Sequence, residues 1–390
     1  MATRTPYTDV VLVAPATVPY ERFSEHSAHH WFAQLLRQLL QQSGLQKAQI
    51  DGVCVSSFTL GNDTAVALMQ HFQMSPRWLD FLPTGGASGV MALRRAARAV
   101  QCGDASIVAC LAADTNQRDS FKNTVRSFSR FSLDAVYPYG AAGPNAPFAL
   151  ITDYYMRQYG ATREDFGKLC VAQRDNALRN PHALMKKPLS LEQYLEARPI
   201  AEPLHLFDCV MPCAGAEGYL VMTRTQAEEL GLPYVEILAT IERHNAFPED
   251  PVQHRGGWLV DQDEFYAMAG VQPRDIDFLE TYDDYPVINV LQFEGLGFCA
   301  PGEGAEFIRA HQFTIDGDFP FNTSGGQLSV GQAGAAGGYL GLVQAIRQLT
   351  HNAGPTQVAD AQLGMVSGFG MINYDRGICT AAALLKRGQA

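Results

Sequence analysis

Short apolar runs alternate with stretches of helical spacing, and the alternation starts twice along the chain. Val10–Ala14 reads as a first strand, and His26–Ser43 as an amphipathic helix stopped at Gly44. Gly52–Ser57 is a second strand, Gly89–Gln101 a helix closed by Gly103, and Ile107–Ala112 a buried strand. Strand rhythm returns at Gly218–Thr223. After a join near Gly231–Pro233 the series begins again, with a strand at Tyr234–Thr240, a helix at Ala335–Leu349 and a last strand at Ile378–Lys386. Such alternation needs a largely parallel sheet covered by helices. Two series in 390 residues predict two similar α/β halves, residues 1–232 and 233–390. Between Ala113 and Ile200 the sheet rhythm is absent, and helices and loops replace it. An insertion of that kind forms a lid or a substrate-binding region.

Several function classes fall away on composition. The formal net charge is −11 and no basic stripe is visible, so a nucleic-acid partner is not expected. No apolar stretch approaches the roughly 18–20 residues of a membrane span. Val10–Ala14 is too short for the apolar core of a secretion signal and runs straight into Pro15, which predicts a cytoplasmic protein. None of the eight cysteines forms a CxxC pair, and without a secretory signal they read as reduced. Cys209 and Cys213 lack the second half of a zinc site, so no metal and no bound cofactor is expected.

Four ordered segments carry a resemblance: Gly85–Asn116 (GGASGVMALRRAARAVQCGDASIVACLAADTN), the stretch from YGAAGPNAPFAL to GYLVMT, Phe278–Phe307 (FLETYDDYPVINVLQFEGLGFCAPGEGAEF), and Phe321–Leu349 followed by Ser367–Gly377. Together they resemble the thiolase superfamily, in its lipid-transfer-protein-like, sterol-carrier-protein thiolase-like branch. The resemblance implies two α/β halves stacked in five layers (αβαβα), usually as a homodimer, with chemistry where loops of both halves meet. It also implies a CoA thioester as substrate. Lys122, Arg126 and Arg130 on the lid are candidates for contacting CoA, beside the reading of a solvated basic face.

The catalytic positions depart from the family. A thiolase needs a cysteine thiolate at the head of the long helix, where the helix dipole lowers its pKa. Gly86 stands there, and no cysteine lies between Cys54 and Cys102, so the covalent route is closed at this position. The second motif, His-Asp-Cys-Phe or a close relative, reads Tyr282-Asp283-Asp284-Tyr285. The third, Gly-His-Pro, reads Gly331-Gln332-Ala333, and Val366 or Ser367 stands near the usual C-terminal cysteine. The framework of Asn322, Ser324, Gly325, Gly326 and a Gly368-Phe369-Gly370 turn is kept.

Carbon–carbon cleavage beside a thioester needs no covalent nucleophile if the substrate carries a β-hydroxyl. A base takes the hydroxyl proton, the Cα–Cβ bond breaks, and a donor set holds the enolate oxygen. Tyr282 is the candidate base or carbonyl donor. Asp283 or Asp284 is the alternative base, with Tyr282 then orienting the substrate. Gln332 and the N–H groups around Gly368–Gly370 are candidate enolate donors, and Gly86, Tyr285, Asn322 and Ser324 candidate substrate contacts. For each residue alone, packing or capping is an alternative: a tyrosine is commonly core, and Asp283 can cap a helix or turn. The sequence is similar to the side-chain-cleaving aldolases of steroid catabolism, which also carry tyrosine for the catalytic histidine. That likeness implies a bulky β-hydroxyacyl-CoA such as a steroid or bile-acid side chain, release of acetyl-CoA or propionyl-CoA, and a small zinc-ribbon/OB-fold partner in a heterotetramer. Two other readings stand beside it: a thiolase or acyltransferase with a relocated cysteine (Cys209, Cys213 or Cys299), and a non-catalytic acyl-CoA or lipid-binding subunit.

Overall fold

The computed structural model describes residues 5–61, 64–120, 137–141, 143–373 and 376–388. The elements run β1 (Val10–Glu21), α1 (Ala28–Ser43), β2 (Gly52–Ser56), α2 (Thr64–Phe72), β3 (Trp78–Phe81), α3 (Ser88–Cys102) and β4 (Ile107–Asp114). The inserted region holds α4 (Asn145–Tyr159), α5 (Arg163–Arg179), α6 (Leu191–Leu195) and a hairpin of β5 (Pro199–Ala201) and β6 (Leu204–His205). Next come β7 (Ala214–Thr223), α7 (Arg224–Glu229), β8 (Tyr234–His244), α8 (Trp258–Ala269), β9 (Phe278–Glu280), α9 (Pro286–Gly295) and α10 (Gly304–Ala310). The chain ends with α11 (Gly326–Val330), α12 (Gly337–Leu349), β10 (Leu363–Asn373) and β11 (Arg376–Arg387).

The strands lie in the order β3-β2-β4-β7-β1-β8-β11-β10-β9. β1 and β8 meet along only three residue pairs, Val11 with Glu236 to Val13 with Tyr234. Either side of this seam is a mixed sheet, with parallel pairs β2–β3, β2–β4 and β9–β10 and antiparallel pairs elsewhere. Helices α3 and α12 form the middle layer, and their apolar faces share one core with strand residues of both sheets, such as Val108 and Ala383. α1 and α2 cover the outer face of one sheet, and α8, α9 and the inserted helices that of the other, each over its own core. The layering is αβαβα. Among the described residues no helix is long and apolar enough to cross a membrane.

Helix stops follow the sequence signals. Gly44 and Gly103 adopt the left-handed conformation, at φ 71° and 78°, and close α1 and α3. Strand limits differ. β1 runs past Ala14 through Pro15 and Pro19 to Glu21, because register shifts between Val13 and Ala16 and between Val18 and Glu21 absorb both prolines. The expected turn at Gly368-Phe369-Gly370 is strand instead. These residues pair with Ala381, Thr380 and Cys379 of β11. Their glycines serve close approach: a Cβ at Gly370 would lie 2.4 Å from the Thr84 carbonyl oxygen, and one at Gly368 2.7 Å from that of Gly86. The heads of the two middle helices also touch through glycines, since a Cβ at Gly89 would sit 2.2 Å from the Gly338 carbonyl oxygen.

Candidate active site

A cavity of about 680 Å³ opens where the inserted region meets the heads of α3 and α12. That volume lies within the roughly 300–1,000 Å³ of small-molecule sites. Its floor includes Gly86, Gly334 and Gly370; its walls include Phe148, Ile200, Phe207, Met211, Phe369 and Ile372. Of the sequence-derived residues, Gly86, Tyr282, Asp284, Tyr285, Gln332 and Gly370 line it, whereas Asp283, Asn322, Ser324 and Gly368 do not. Lys122, Arg126 and Arg130 lie outside the described residues.

Gly86 lies in the tight turn Gly85–Ala87 at the head of α3. A Cβ built on it would lie 2.3 Å from Cε2 of Tyr282 and 2.3 Å from the Phe369 carbonyl oxygen. The tyrosine ring therefore fills the space that a side chain at this position would need. A side chain at 86 and the tyrosine ring at 282 thus exclude one another.

Tyr282 follows β9 and precedes α9, and its backbone is held at both polar atoms. Its N–H donates to the Ser367 carbonyl of β10 at 3.1 Å, and its carbonyl accepts from Gln292 Nε2 at 2.8 Å. Gln292 in turn accepts from Ser367 Oγ at 2.6 Å. The phenol donates to Asp284 Oδ2 at 2.7 Å, and Gln332 Nε2 lies 3.4 Å from the same phenolic oxygen. Burial first, then the Asp284 carboxylate, pushes the Tyr282 pKa well above its ordinary value. A standing phenolate is thereby disfavoured, and the proton rests on the tyrosine. Burial likewise lifts Asp284 to about 7, opposed by its bond from Tyr282. The result is a tyrosine–carboxylate pair whose acceptor titrates near neutrality.

Asp283 faces the other way. It is fully buried and accepts from the backbone N–H of Gln327 at 2.8 Å and of Leu328 at 3.3 Å, and from Gln173 Nε2 at 2.5 Å. It fastens the start of α11 to the Tyr282 loop, the capping alternative. Burial raises it to about 7 against those donors. With its amide turned to accept from the Asp283 N–H, Gln327 donates to Asp284 Oδ1 at 3.2 Å.

Asn322, at φ 40°, accepts from the Thr281 N–H at 2.7 Å and so sets the loop that leads to Tyr282. Ser324 is buried, its hydroxyl without a hydrogen-bond partner among the described residues. Gln332 is held by backbone pairing, its N–H to Met211 O at 2.9 Å and its carbonyl to the Cys213 N–H at 3.0 Å. Tyr285 donates to Asn145 Oδ1 at 2.6 Å and stacks on Phe148 at 4.3 Å between centroids.

Three supports were not singled out from sequence: Gln292, Asn145 and Asp114. Asp114 at the end of β4 accepts from the N–H of Phe58 and Thr59, both at 2.8 Å, and of Ala335 at 2.6 Å, tying the loop after β2 to the head of α12. Gln292 leaves one signal, as the only glutamine in the otherwise largely apolar run PVINVLQFEG.

The three relocated-cysteine candidates lack activation. Burial pushes Cys209 and Cys299 up to about 12 and Cys213 well above its ordinary value. The thiolate is the nucleophilic form, so such thiols are inert at neutral pH. Iodoacetamide at pH 7 is expected to leave turnover unchanged while it alkylates exposed Cys102; loss of activity that tracks modification of Cys209 would contradict this.

Residues 259–380 match the family model described as thiolase C-terminal domain-like. The steroid side-chain-cleaving aldolase of Thermomonospora curvata is 30% identical over 330 residues, covering 79% of this chain and 82% of that protein. The chain belongs to the thiolase superfamily. Within it, the chain falls in the sterol-carrier-protein-like branch. The 17-hydroxy-3-oxo-4-pregnene-20-carboxyl-CoA lyase of Mycobacterium tuberculosis is 29% identical over 355 residues, covering 87% of this chain and 90% of that one. A solved structure of an Ltp2-ChsH2(DUF35) aldolase superposes with a TM-score of 0.81 at 24% identity, over 97% of this chain and 98% of that one. No cysteine stands in the turn Gly85–Ala87 at the head of α3.

Proposed function

We propose that this chain is an acyl-CoA carbon–carbon lyase that cleaves a bulky β-hydroxyacyl-CoA by a retro-aldol route. The observation that carries the reading is the Tyr282–Asp284 pair, set 2.7 Å apart beside a nucleophile position that holds only Gly86. The two relatives named as a CoA lyase and a side-chain-cleaving aldolase support the reaction class.

The substrate hydroxyl gives its proton to the Tyr282 oxygen as Tyr282 passes its own to Asp284 Oδ2. The Cα–Cβ bond breaks, its electrons forming the thioester enolate while the β-carbon becomes a carbonyl. The proton returns through the same pair to the α-carbon. One β-hydroxyacyl-CoA thus yields one ketone or aldehyde and one shorter acyl-CoA, acetyl-CoA or propionyl-CoA, with no added reactant. The heads of α3 and α12 converge beneath the pair, and their positive dipole ends favour the developing enolate. Gln332 Nε2 steadies the Tyr282 oxygen while it exchanges protons.

The acyl group on this reading is large and apolar, a steroid or bile-acid side chain set against the Phe148, Phe207 and Phe369 walls. The chain works as a homodimer with a small zinc-ribbon/OB-fold partner that completes a heterotetramer. The structural neighbour described as Ltp2-ChsH2(DUF35) supports a second subunit.

The test is to co-express the chain with such a partner, offer β-hydroxyacyl-CoAs of increasing bulk, and follow short acyl-CoA by mass spectrometry. Release that grows with acyl bulk supports the reading. Tight binding of polycyclic substrates without release favours a non-catalytic binding subunit. The pH profile follows from Asp284, which must be ionised to accept the proton. Its carboxyl is raised to about 7, so kcat/KM is expected to rise tenfold per pH unit below that value and level above it. Asp284→Asn is expected to remove that limb; a profile flat from pH 5 to 8 in the unaltered protein would rule out Asp284 as the acceptor.

A further inference from the structure

The cavity holds a buried cation that the retro-aldol chemistry does not use. Arg174 lies on α5, is only 5% exposed, and lines the cavity. A guanidinium stays charged in a protein and carries five donors. Here Nε donates to Ser329 Oγ at 3.0 Å and Nη1 to the Lys187 carbonyl at 3.1 Å, while Nη2 makes no hydrogen bond to a described residue. No carboxylate forms a salt bridge with Arg174 among the described residues.

Two partly buried arginines show the contrast. Arg95 chelates Glu242, and Arg243 chelates Asp261. Burial lowers the Arg174 pKa, and the Coulombic pull of Asp175, which forms no salt bridge with it, does not reverse that shift. The side chain is nevertheless fixed in place by Ser329 and Lys187, with its guanidinium carbon 5.9 Å from the Phe207 ring centre on the same cavity wall. A rigid, desolvated cation that faces a cavity and has no salt bridge among the described residues is a recognition group awaiting an anion.

We propose that Arg174 binds an anionic oxygen group of the acyl-CoA, a phosphate of the CoA part or a carboxylate on the acyl part. This rests on the reading of the cavity as an acyl-CoA site, and adds that the bound molecule brings a negative charge to the α5 wall. A purely apolar acyl chain would leave the free Nη2 of Arg174 without an acceptor there. The two sources share one chemistry, two acceptor oxygens in the plane of the guanidinium fork.

The experiment is equilibrium binding by calorimetry, which needs no turnover and so stands apart from any failure of the lyase reading. The probes are a saturated acyl-CoA, the matching acyl-pantetheine thioester, and the same acyl-CoA with a terminal carboxylate, each against the unaltered protein, Arg174→Met and Arg174→Lys. The phosphate source predicts that Arg174→Met weakens both CoA esters tenfold or more and leaves the pantetheine ester unchanged. The carboxylate source predicts weakening of the carboxylated ester alone. In either case Arg174→Lys, which keeps the charge and loses the fork, recovers part of the affinity and guards against misfolding of the methionine variant. Affinities unchanged within twofold for all three probes in both variants would overturn the proposal.

Discussion

Tyr282→Phe is expected to slow cleavage of a β-hydroxyacyl-CoA by about 10²–10⁴-fold, the range for removal of a general acid–base group, with KM changed little. The substitution deletes one oxygen. The ring stays in the space beside Gly86, and the backbone stays fixed by Ser367 and Gln292. What disappears is the relay between the substrate hydroxyl and Asp284 Oδ2, which now lies 2.7 Å from the phenol. Asp284→Asn interrupts the same relay at its other end, because the amide accepts a hydrogen bond but takes up no proton. The double variant is therefore expected to be hardly slower than either single one, as for residues that act as a unit. Losses that multiply in the double variant would show two independent roles. Steady-state kinetics of the four proteins decide between them.

Gly86→Cys is expected to slow cleavage by about 10²-fold without creating a thiolase. The new Cβ would stand 2.3 Å from both the Tyr282 ring and the Phe369 carbonyl oxygen. The carbonyl belongs to β10, paired with β11, and has little room to retreat. Tyr282 must therefore move. A misplacement of about 1 Å in a catalytic group costs about 10²-fold in rate, and overpacking of a core lowers stability by about 1–3 kcal/mol. Denaturant unfolding and the product assay together check both effects. Gain of CoA-dependent thiolysis by this variant would contradict the view that Tyr282 and Gly86 exclude a side chain at the head of α3.

Much of this arrangement is legible in the amino-acid sequence, for identifiable reasons. Helices α1 and α3 announce themselves by apolar spacing and a terminal glycine, both local properties of the chain. β10 did not, because its glycines look like a turn; only the proximity of the Thr84–Ala87 backbone explains why a strand needs them. The tetrad Tyr282–Tyr285 was visible as a departure from a motif, yet its internal division was not. Tyr282, Asp284 and Tyr285 face the cavity while Asp283 turns to cap α11, a division set by the irregular loop between β9 and α9 and not by any regular spacing. Asn145 and Arg174 come from the inserted region, where side-chain roles follow from how helices pack against the core rather than from any spacing along the chain.

The dependence on free CoA tests the central claim most directly. The protein is incubated with a bulky β-hydroxyacyl-CoA, with and without free CoA, while mass spectrometry follows both the small products and the intact chain. Retro-aldol cleavage at the Tyr282–Asp284 pair predicts equal amounts of ketone or aldehyde and shorter acyl-CoA without added CoA, and no acyl mass on the protein. Release only when free CoA is present, with an acylated cysteine in the intact mass, would contradict it.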